Sequence, residues 1–142
     1  VNDESCTNHF IQYGGIEAIK GQQDGIEKIN NELKSRRDLL AKKLNTIEGV
    51  KLFIPNSTFY LFPDITELYH KIDAKSYEDF RTQVLKATGV SFCTREHFGR
   101  PHSIESKKYI RFAYSGISLS EIDESMDLLI NFFNNVNAEI FV

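Results

Sequence analysis

Apolar and other side chains alternate along Lys108–Ser115, and this alternation restricts the possible folds more than any other feature of the sequence. Successive side chains of a β-strand point to opposite faces, so every second residue shares a face. The apolar face carries Ile110, Phe112 and Tyr114. The opposite face carries Tyr109, Arg111 and Ala113. A strand with one apolar face needs a second layer over that face, which predicts a sheet with helices packed on one side.

Four segments have the apolar spacing or the terminal residues of helices. Their predicted bounds are Asn8–Lys20, about residue 25 to 48, Ser76 to Gly89, and a last helix that follows Ser118. The first two end at Gly21 and Gly49, because glycine is favoured just past a helix C-terminus. Ser118 and Glu121 have the spacing of a capping box, which marks a helix start.

Three more segments have the composition of β-strands. They are Val50–Ile54, Thr58–Phe62 and Val90–Thr94. Pro55 and the turn signal Asn56-Ser57 lie between the first two, which predicts a hairpin. The predicted order is helix, helix, hairpin, helix, strand, strand, helix. This order indicates an α+β fold of two layers, with a small mixed or antiparallel sheet covered by helices.

The composition excludes several classes of function. A chain of 142 residues with 41% apolar residues can bury a real core. Its net charge of −3 argues against a nucleic-acid or anionic-membrane partner, since phosphate binding needs clustered Lys and Arg. The sequence contains no apolar run long enough for a membrane span, and its polar start is unlike a signal peptide. Because the first residue is Val1, we expect the chain to begin inside a longer reading frame or after processing.

Cysteine and histidine usage predicts neither a disulfide framework nor a metal site. Cys6 and Cys93 are expected to be reduced, buried thiols of an intracellular, cytoplasmic protein. His97 and His102 are five residues apart, but no carboxylate or thiol completes a recognisable ligand set. The sequence also lacks the common nucleotide-binding, serine-hydrolase and zinc-protease motifs, so it predicts no catalysis by this chain alone.

Arg111 has two interpretations from its position in the strand. It is either an exposed or ion-paired arginine, or an anion clamp, because a guanidinium fork matches a carboxylate with two hydrogen bonds. The preceding segment, Arg95–Pro101, reads by itself as an ordinary surface loop.

Several segments, taken in order, resemble the small domain of the pyridoxal-phosphate (PLP) aminotransferases of fold type I, the aspartate aminotransferase-like class I/II. The four that carry the resemblance are Thr58–Ile65, Gly89–Phe92, His97–Pro101 and Tyr109–Ser115. Upstream, Ser5–Gln12 and Arg36–Leu40 resemble the segments that lead into and along the helix connecting the two domains. The resemblance covers nearly the whole chain and is specific mainly through the order of its pieces.

The resemblance implies a division into an interdomain helical segment at residues 1–48 and a C-terminal small domain at residues 49–142. It implies PLP as cofactor, an amino acid and a 2-oxo acid as substrates, and a homodimeric parent enzyme with Ser5–Asn8 near the subunit interface. In this family the arginine matching Arg111 binds the substrate α-carboxylate, and Phe59 matches a residue that lines the substrate entrance. The lysine that binds the cofactor covalently belongs to an N-terminal large domain, so the sequence supplies no catalytic residue of its own.

One departure concerns the pocket near Phe59, since Ser57-Thr58 stand where the family usually has Gly or Ala. Two other interpretations stay open. The chain is alternatively a stand-alone α+β ligand-binding or dimerisation module, which predicts an exterior without unpartnered apolar surface. A third interpretation keeps the fold but changes the reaction, because decarboxylating synthases and lyases share this cofactor and this architecture.

Overall fold

The computed structural model describes residues 7–100 and 102–136. The chain divides into two compact units, one up to Glu32 and the other from Leu33 onward. The second helix runs through this division without a break. The predicted division at residues 48 and 49 follows from the family resemblance and stays a prediction.

The first unit contains helix α1, His9–Lys20, and the start of helix α2, Asp24–Leu44. The side chain of Asn8 caps α1 by accepting a hydrogen bond from the Phe10 amide, and Gly21 ends the helix, as predicted. No residue of α1 is buried. Large apolar side chains are therefore open along it, including Phe10, Tyr13 and Ile19 at 69%, 74% and 82% exposed.

The second unit holds the rest of α2 and all the strands. Its further elements are β1 (Tyr60–Leu61), α3 (Thr66–Lys71), α4 (Tyr77–Thr88), β2 (Cys93–Thr94), a 3₁₀ turn (Arg95–Phe98), β3 (Ile110–Ala113) and α5 (Leu119–Asn135). The sheet is antiparallel in the order β1-β3-β2, so β3 is its central strand. Opposed pairs in the register include Tyr60 with Ala113 and Cys93 with Arg111. The α+β class and the helix-covered sheet are confirmed.

The alternation predicted for the central strand is confirmed. Ile110, Phe112 and Tyr114 are all buried, and the core they join is built from α2, α3, α4 and α5. The apolar stripe of α5 faces this core; Ile122, Met126, Leu129 and Phe133 are buried, and Ile130 is partly buried. These helices cover the core face of the sheet, and Arg111 lies on the opposite face.

Local end signals account for the ends of the last two helices. Ser118 and Glu121 form the predicted capping box, and Ser76 accepts a hydrogen bond from the Asp79 amide at the start of α4. Gly89 ends α4 with a φ of 72°, a left-handed conformation that glycine adopts without steric cost.

Five predicted elements differ from the structure, and one of them, the strand at Lys108–Ser115, shortens to Ile110–Ala113. The strand Val50–Ile54 is wrong, because only Lys51 makes a bridge, to Asp64, and the chain then turns outward with Phe53 81% exposed. The strands predicted at Thr58–Phe62 and Val90–Thr94 each shorten to two residues.

Helix α2 ends at Leu44 rather than at residue 48. The Thr46 and Ile47 amides there bond three residues back, which tightens the helix into a turn.

Helix α3 was not predicted. It has six residues, and its capping residue, Ile65, offers no side-chain hydrogen bond, so the usual start signal is missing.

Candidate functional site

Arg111 occupies the middle of the central strand on the face opposite the core. The register places Cys93 of β2 directly across from it. The side chain is half-buried, so it is neither a freely solvated surface arginine nor a core residue.

Two aromatic rings contact the Arg111 guanidinium. Its Cζ lies 4.1 Å from the centroid of the Tyr60 ring and 4.4 Å from that of the Phe98 ring. Tyr60 comes from the neighbouring strand β1, whereas Phe98 ends the 3₁₀ turn that follows β2. A cation over an aromatic face is attracted to the ring quadrupole, so both contacts stabilise this orientation of the guanidinium.

The charge of Arg111 has no counter-ion in the described part of the chain. Its one hydrogen bond there runs from Nη2 to the Cys93 Sγ at 3.8 Å, and its Nε is buried without an acceptor. Two other arginines of this unit are ion-paired, Arg95 with Glu105 at 3.1 Å and Arg81 with Glu78 at 2.6 Å. A half-buried, uncompensated guanidinium favours binding of an anion, and a carboxylate matches its geometry.

Arg111, Tyr60, Phe98 and Cys93 form one cluster. Phe59 lies beside this cluster, with its ring centroid 4.4 Å from that of Tyr60, and it is 39% exposed. The backbone before it is held by Tyr114, whose hydroxyl donates to the Thr58 carbonyl at 2.9 Å and whose amide donates to the Phe59 carbonyl at 3.1 Å. Burial raises the pKa of Tyr114, so its hydroxyl stays a donor at neutral pH. Thr58 itself has a φ of 72°, which is costly for a β-branched residue.

Three residues of this cluster were missed by the sequence analysis. Tyr60 belongs to the same face of the sheet as Arg111, a relation that only the strand register reveals. Phe98 lies in the segment interpreted as an ordinary surface loop, yet its ring covers the guanidinium. Cys93 is half-buried rather than buried, because it faces Arg111 on the open side of the sheet. Cys6 lies outside the described residues.

Three lysines of the described chain are engaged by carboxylates or by aromatic rings. Lys43 donates hydrogen bonds to Asp123 and Asp127, and Lys51 donates one to Glu67; these bonds raise the pKa values of both lysines. The Lys108 ammonium lies over the rings of Tyr69 and Tyr77, at 5.1 Å and 5.0 Å from their centroids, a cation–π contact. In the same ranges no three His, Cys, Asp or Glu side chains cluster to hold a metal, and no helix has the length and apolarity to cross a bilayer.

Comparison with known proteins relates this chain to aminotransferases. No protein-family model matches the chain. An aspartate aminotransferase of Bacillus sp. (strain YM-2) is 32% identical over 121 residues, which cover 85% of this chain and 29% of that protein. An LL-diaminopimelate aminotransferase of Halothermothrix orenii is 31% identical over 130 residues, or 92% of this chain and 30% of the relative. The chain therefore spans about three tenths of the length of the curated relatives it matches.

Solved structures agree with the sequence comparison. An alanine aminotransferase from Pyrococcus furiosus superposes with a TM-score of 0.71 at 26% identity, covering 92% of this chain and 31% of that one. An aromatic aminotransferase from Pyrococcus horikoshii gives 0.72 at 25% identity, with 92% and 32% covered. The chain is a homologue of the fold-type I aminotransferases, and its fold is that of their small domain.

Proposed function

We propose that this chain is the small-domain part of a PLP-dependent aminotransferase that moves an amino group between an amino acid and a 2-oxo acid. Within it, Arg111 binds the α-carboxylate of the substrate, and Phe59 lines the entrance to the site. The observation that carries this proposal is a guanidinium in contact with two aromatic rings and without a counter-ion in the described chain. The aminotransferase names of the relatives support the reaction class.

One arginine clamp suits both halves of such a reaction. The amino acid and the 2-oxo acid each carry a carboxylate next to the reacting carbon, so the same guanidinium binds either one. Two parallel hydrogen bonds to that carboxylate fix its plane, and the reacting carbon is thereby oriented. PLP, when bound, supplies the electron sink for this chemistry. In this proposal the residues that hold PLP belong to the N-terminal large domain of the longer protein.

The surface of the first unit supports a partner for this chain. Helix α1 exposes Phe10, Ile11, Tyr13, Ile16 and Ile19, each by about half or more. Exposed apolar side chains in such number mark an interaction surface. We assign them to packing in the homodimeric parent enzyme, with residues 1–48 as the interdomain segment. A stand-alone module with a closed exterior does not account for them.

Substitution of Arg111 in the full-length protein tests the proposal. We expect Arg111→Ala to lower kcat/KM for the amino-acid substrate by about 30- to 1,000-fold, or about 2–4 kcal/mol, because a charged contact is lost. Arg111→Lys keeps the charge but not the two-pronged guanidinium geometry, so its kcat/KM should lie between that of the unmodified enzyme and that of Arg111→Ala. Substrates to assay are L-aspartate, L-alanine and L-tyrosine, each with 2-oxoglutarate.

The matched control is Arg81→Ala, because Arg81 is paired with Glu78 on helix α4 and has no hydrogen bond, ion pair or ring contact with Arg111, Tyr60 or Phe98 in the described chain. Its kinetics should stay near those of the unmodified enzyme. Unchanged kinetics in Arg111→Ala, with the fold intact by circular dichroism, would remove Arg111 from the substrate site.

A further inference from the structure

We propose that Tyr60 and Phe98 are positioning residues that fix the orientation of the Arg111 guanidinium. The substrate carboxylate then binds in the guanidinium plane, at the end formed by Nη1 and Nη2. This inference rests on the proposed carboxylate-binding role of Arg111. It adds two residues from separate segments, neither of which was predicted to belong to the site.

Two rings lie against the guanidinium, with their centroids 4.1 Å and 4.4 Å from Cζ. Anions approach a guanidinium in its plane, where its N–H bonds point, and among the described contacts Arg111 donates no hydrogen bond to either aromatic residue. The rings carry no negative charge, so the positive charge of Arg111 stays uncompensated. A carboxylate partner would neutralise it.

The edges of the guanidinium are not equivalent. Nε is buried, which excludes a carboxylate from bonding to Nε and Nη2 together. Nη2 contacts the Cys93 Sγ at 3.8 Å, a long contact to a weak acceptor that a carboxylate oxygen replaces readily. Nη1 has no acceptor among the described residues, and unlike Nε it is not fully buried. The end formed by Nη1 and Nη2 is therefore the edge that receives the substrate.

Restriction by the rings increases the affinity of this edge. A free arginine side chain loses much rotamer entropy when it is held in one geometry for a ligand. Here the sheet fixes Tyr60, and Phe98 makes a second contact, edge-on to Phe62 at 6.3 Å. The guanidinium is thus ordered and partly desolvated before the substrate arrives, which lowers the entropic cost of binding.

Ring removal in the full-length enzyme tests the inference. We expect Phe98→Leu and Tyr60→Leu each to raise the KM of the best of L-aspartate, L-alanine and L-tyrosine by about 3- to 30-fold, with a smaller change in kcat. The dissociation constant of succinate, an unreactive analogue of aspartate without the amino group, should rise by a similar factor in calorimetry. Phe98→Tyr and Tyr60→Phe keep the rings and should restore both values.

The control is Phe53→Leu, since Phe53 is 81% exposed and has no ring or cation contact within the described chain. It should bind succinate normally. Arg111→Ala is then combined with Phe98→Leu, and we expect no further loss beyond Arg111→Ala alone, because Phe98 acts through the guanidinium.

The outcomes separate the two proposals. Normal kinetics in Arg111→Ala would reject the carboxylate-binding role and this inference with it. An impaired Arg111→Ala together with normal succinate binding by both leucine variants would overturn the inference alone. A Phe98→Leu effect that persists in the Arg111→Ala background would also overturn it, because the ring would then act independently of the arginine.

Discussion

Asp64 joins three segments of the second unit, and its removal should destabilise that unit strongly. Its Oδ1 accepts hydrogen bonds from the Thr66 amide at 3.0 Å and the Thr66 hydroxyl at 2.5 Å, at the start of helix α3. Its backbone pairs with Lys51 in both directions, and its Oδ2 lies 3.2 Å from the Lys107 ammonium. Asp64 is 7% exposed, so these partners replace water almost completely.

The magnitude follows from these contacts. Hydrogen bonds to a charged acceptor contribute about 1.5–3 kcal/mol each, and their loss leaves the Thr66 donors unpaired. The Lys107 side chain is 60% exposed, so its ion pair adds less than about 1 kcal/mol. We expect Asp64→Ala to lower the free energy of unfolding by about 2–4 kcal/mol. Asp64→Asn keeps an acceptor oxygen and should cost about 1–2 kcal/mol.

The stabilisation should depend on pH in a defined direction. Burial acts to raise the pKa of Asp64, but the hydrogen bonds from Thr66 and Lys107 outweigh it and hold the pKa below its ordinary value. A carboxyl group with a lowered folded-state pKa stabilises the fold above its unfolded pKa of about 3.9, and this contribution disappears as the pH falls through the folded value. The difference in the free energy of unfolding between the natural chain and Asp64→Asn should have its full size at pH 7 and should decrease below about pH 4.

Urea unfolding followed by near-ultraviolet circular dichroism of tyrosine is a suitable assay. Of the six tyrosines, all but Tyr13 belong to the second unit, so the signal reports on the unit that contains Asp64. A loss below about 0.5 kcal/mol in Asp64→Ala, within the range of ordinary surface substitutions, would refute the reasoning. So would a difference from Asp64→Asn that stays the same at pH 3 and pH 7.

Two further stability predictions use the same assay. Gly89→Ala should cost about 1 kcal/mol, because a Cβ there meets open space and the penalty is the strain of a φ of 72° alone. Gly116→Ala, at a position that is also open and has no positive φ, is its control and should not destabilise. Thr58→Gly should stabilise the chain by about 0.5–1 kcal/mol. The strain energy of a β-branched residue at a φ of 72° is removed, and this gain exceeds the entropic cost of a glycine in the unfolded state. A destabilised Thr58→Gly, or a Gly89→Ala no less stable than Gly116→Ala, would contradict these assignments.

Features that depend on neighbouring residues were predicted well from the sequence. The starts of α4 and α5 follow from Ser76 and Ser118, whose side chains bond to amides three residues ahead. The burial of alternate residues along β3 follows from strand geometry, which is why the open-face position of Arg111 was predictable. In each case the relevant interaction lies within a few residues, where spacing alone carries the signal.

Predictions failed where a segment lacked such a local signal or needed a partner to form. Val50–Ile54 has the composition of a strand, but the sheet offers it only the single bridge from Lys51 to Asp64. Strand propensity without a neighbouring strand leaves backbone groups unpaired, so the chain turns to solvent instead. Helix α3 is too short to show a period, and its effective cap, Asp64, lies two residues before Thr66.

By itself the sequence determined the class of the fold, the helix ends with local caps, and the face of β3 on which Arg111 lies. The tertiary structure alone decided what surrounds that arginine. Tyr60, Cys93 and Phe98 come from three separate segments, and only the pairing of β1 and β2 with β3 and the path of the turn after β2 bring them together. No local periodicity encodes such contacts, because they depend on register and packing between segments distant in the chain.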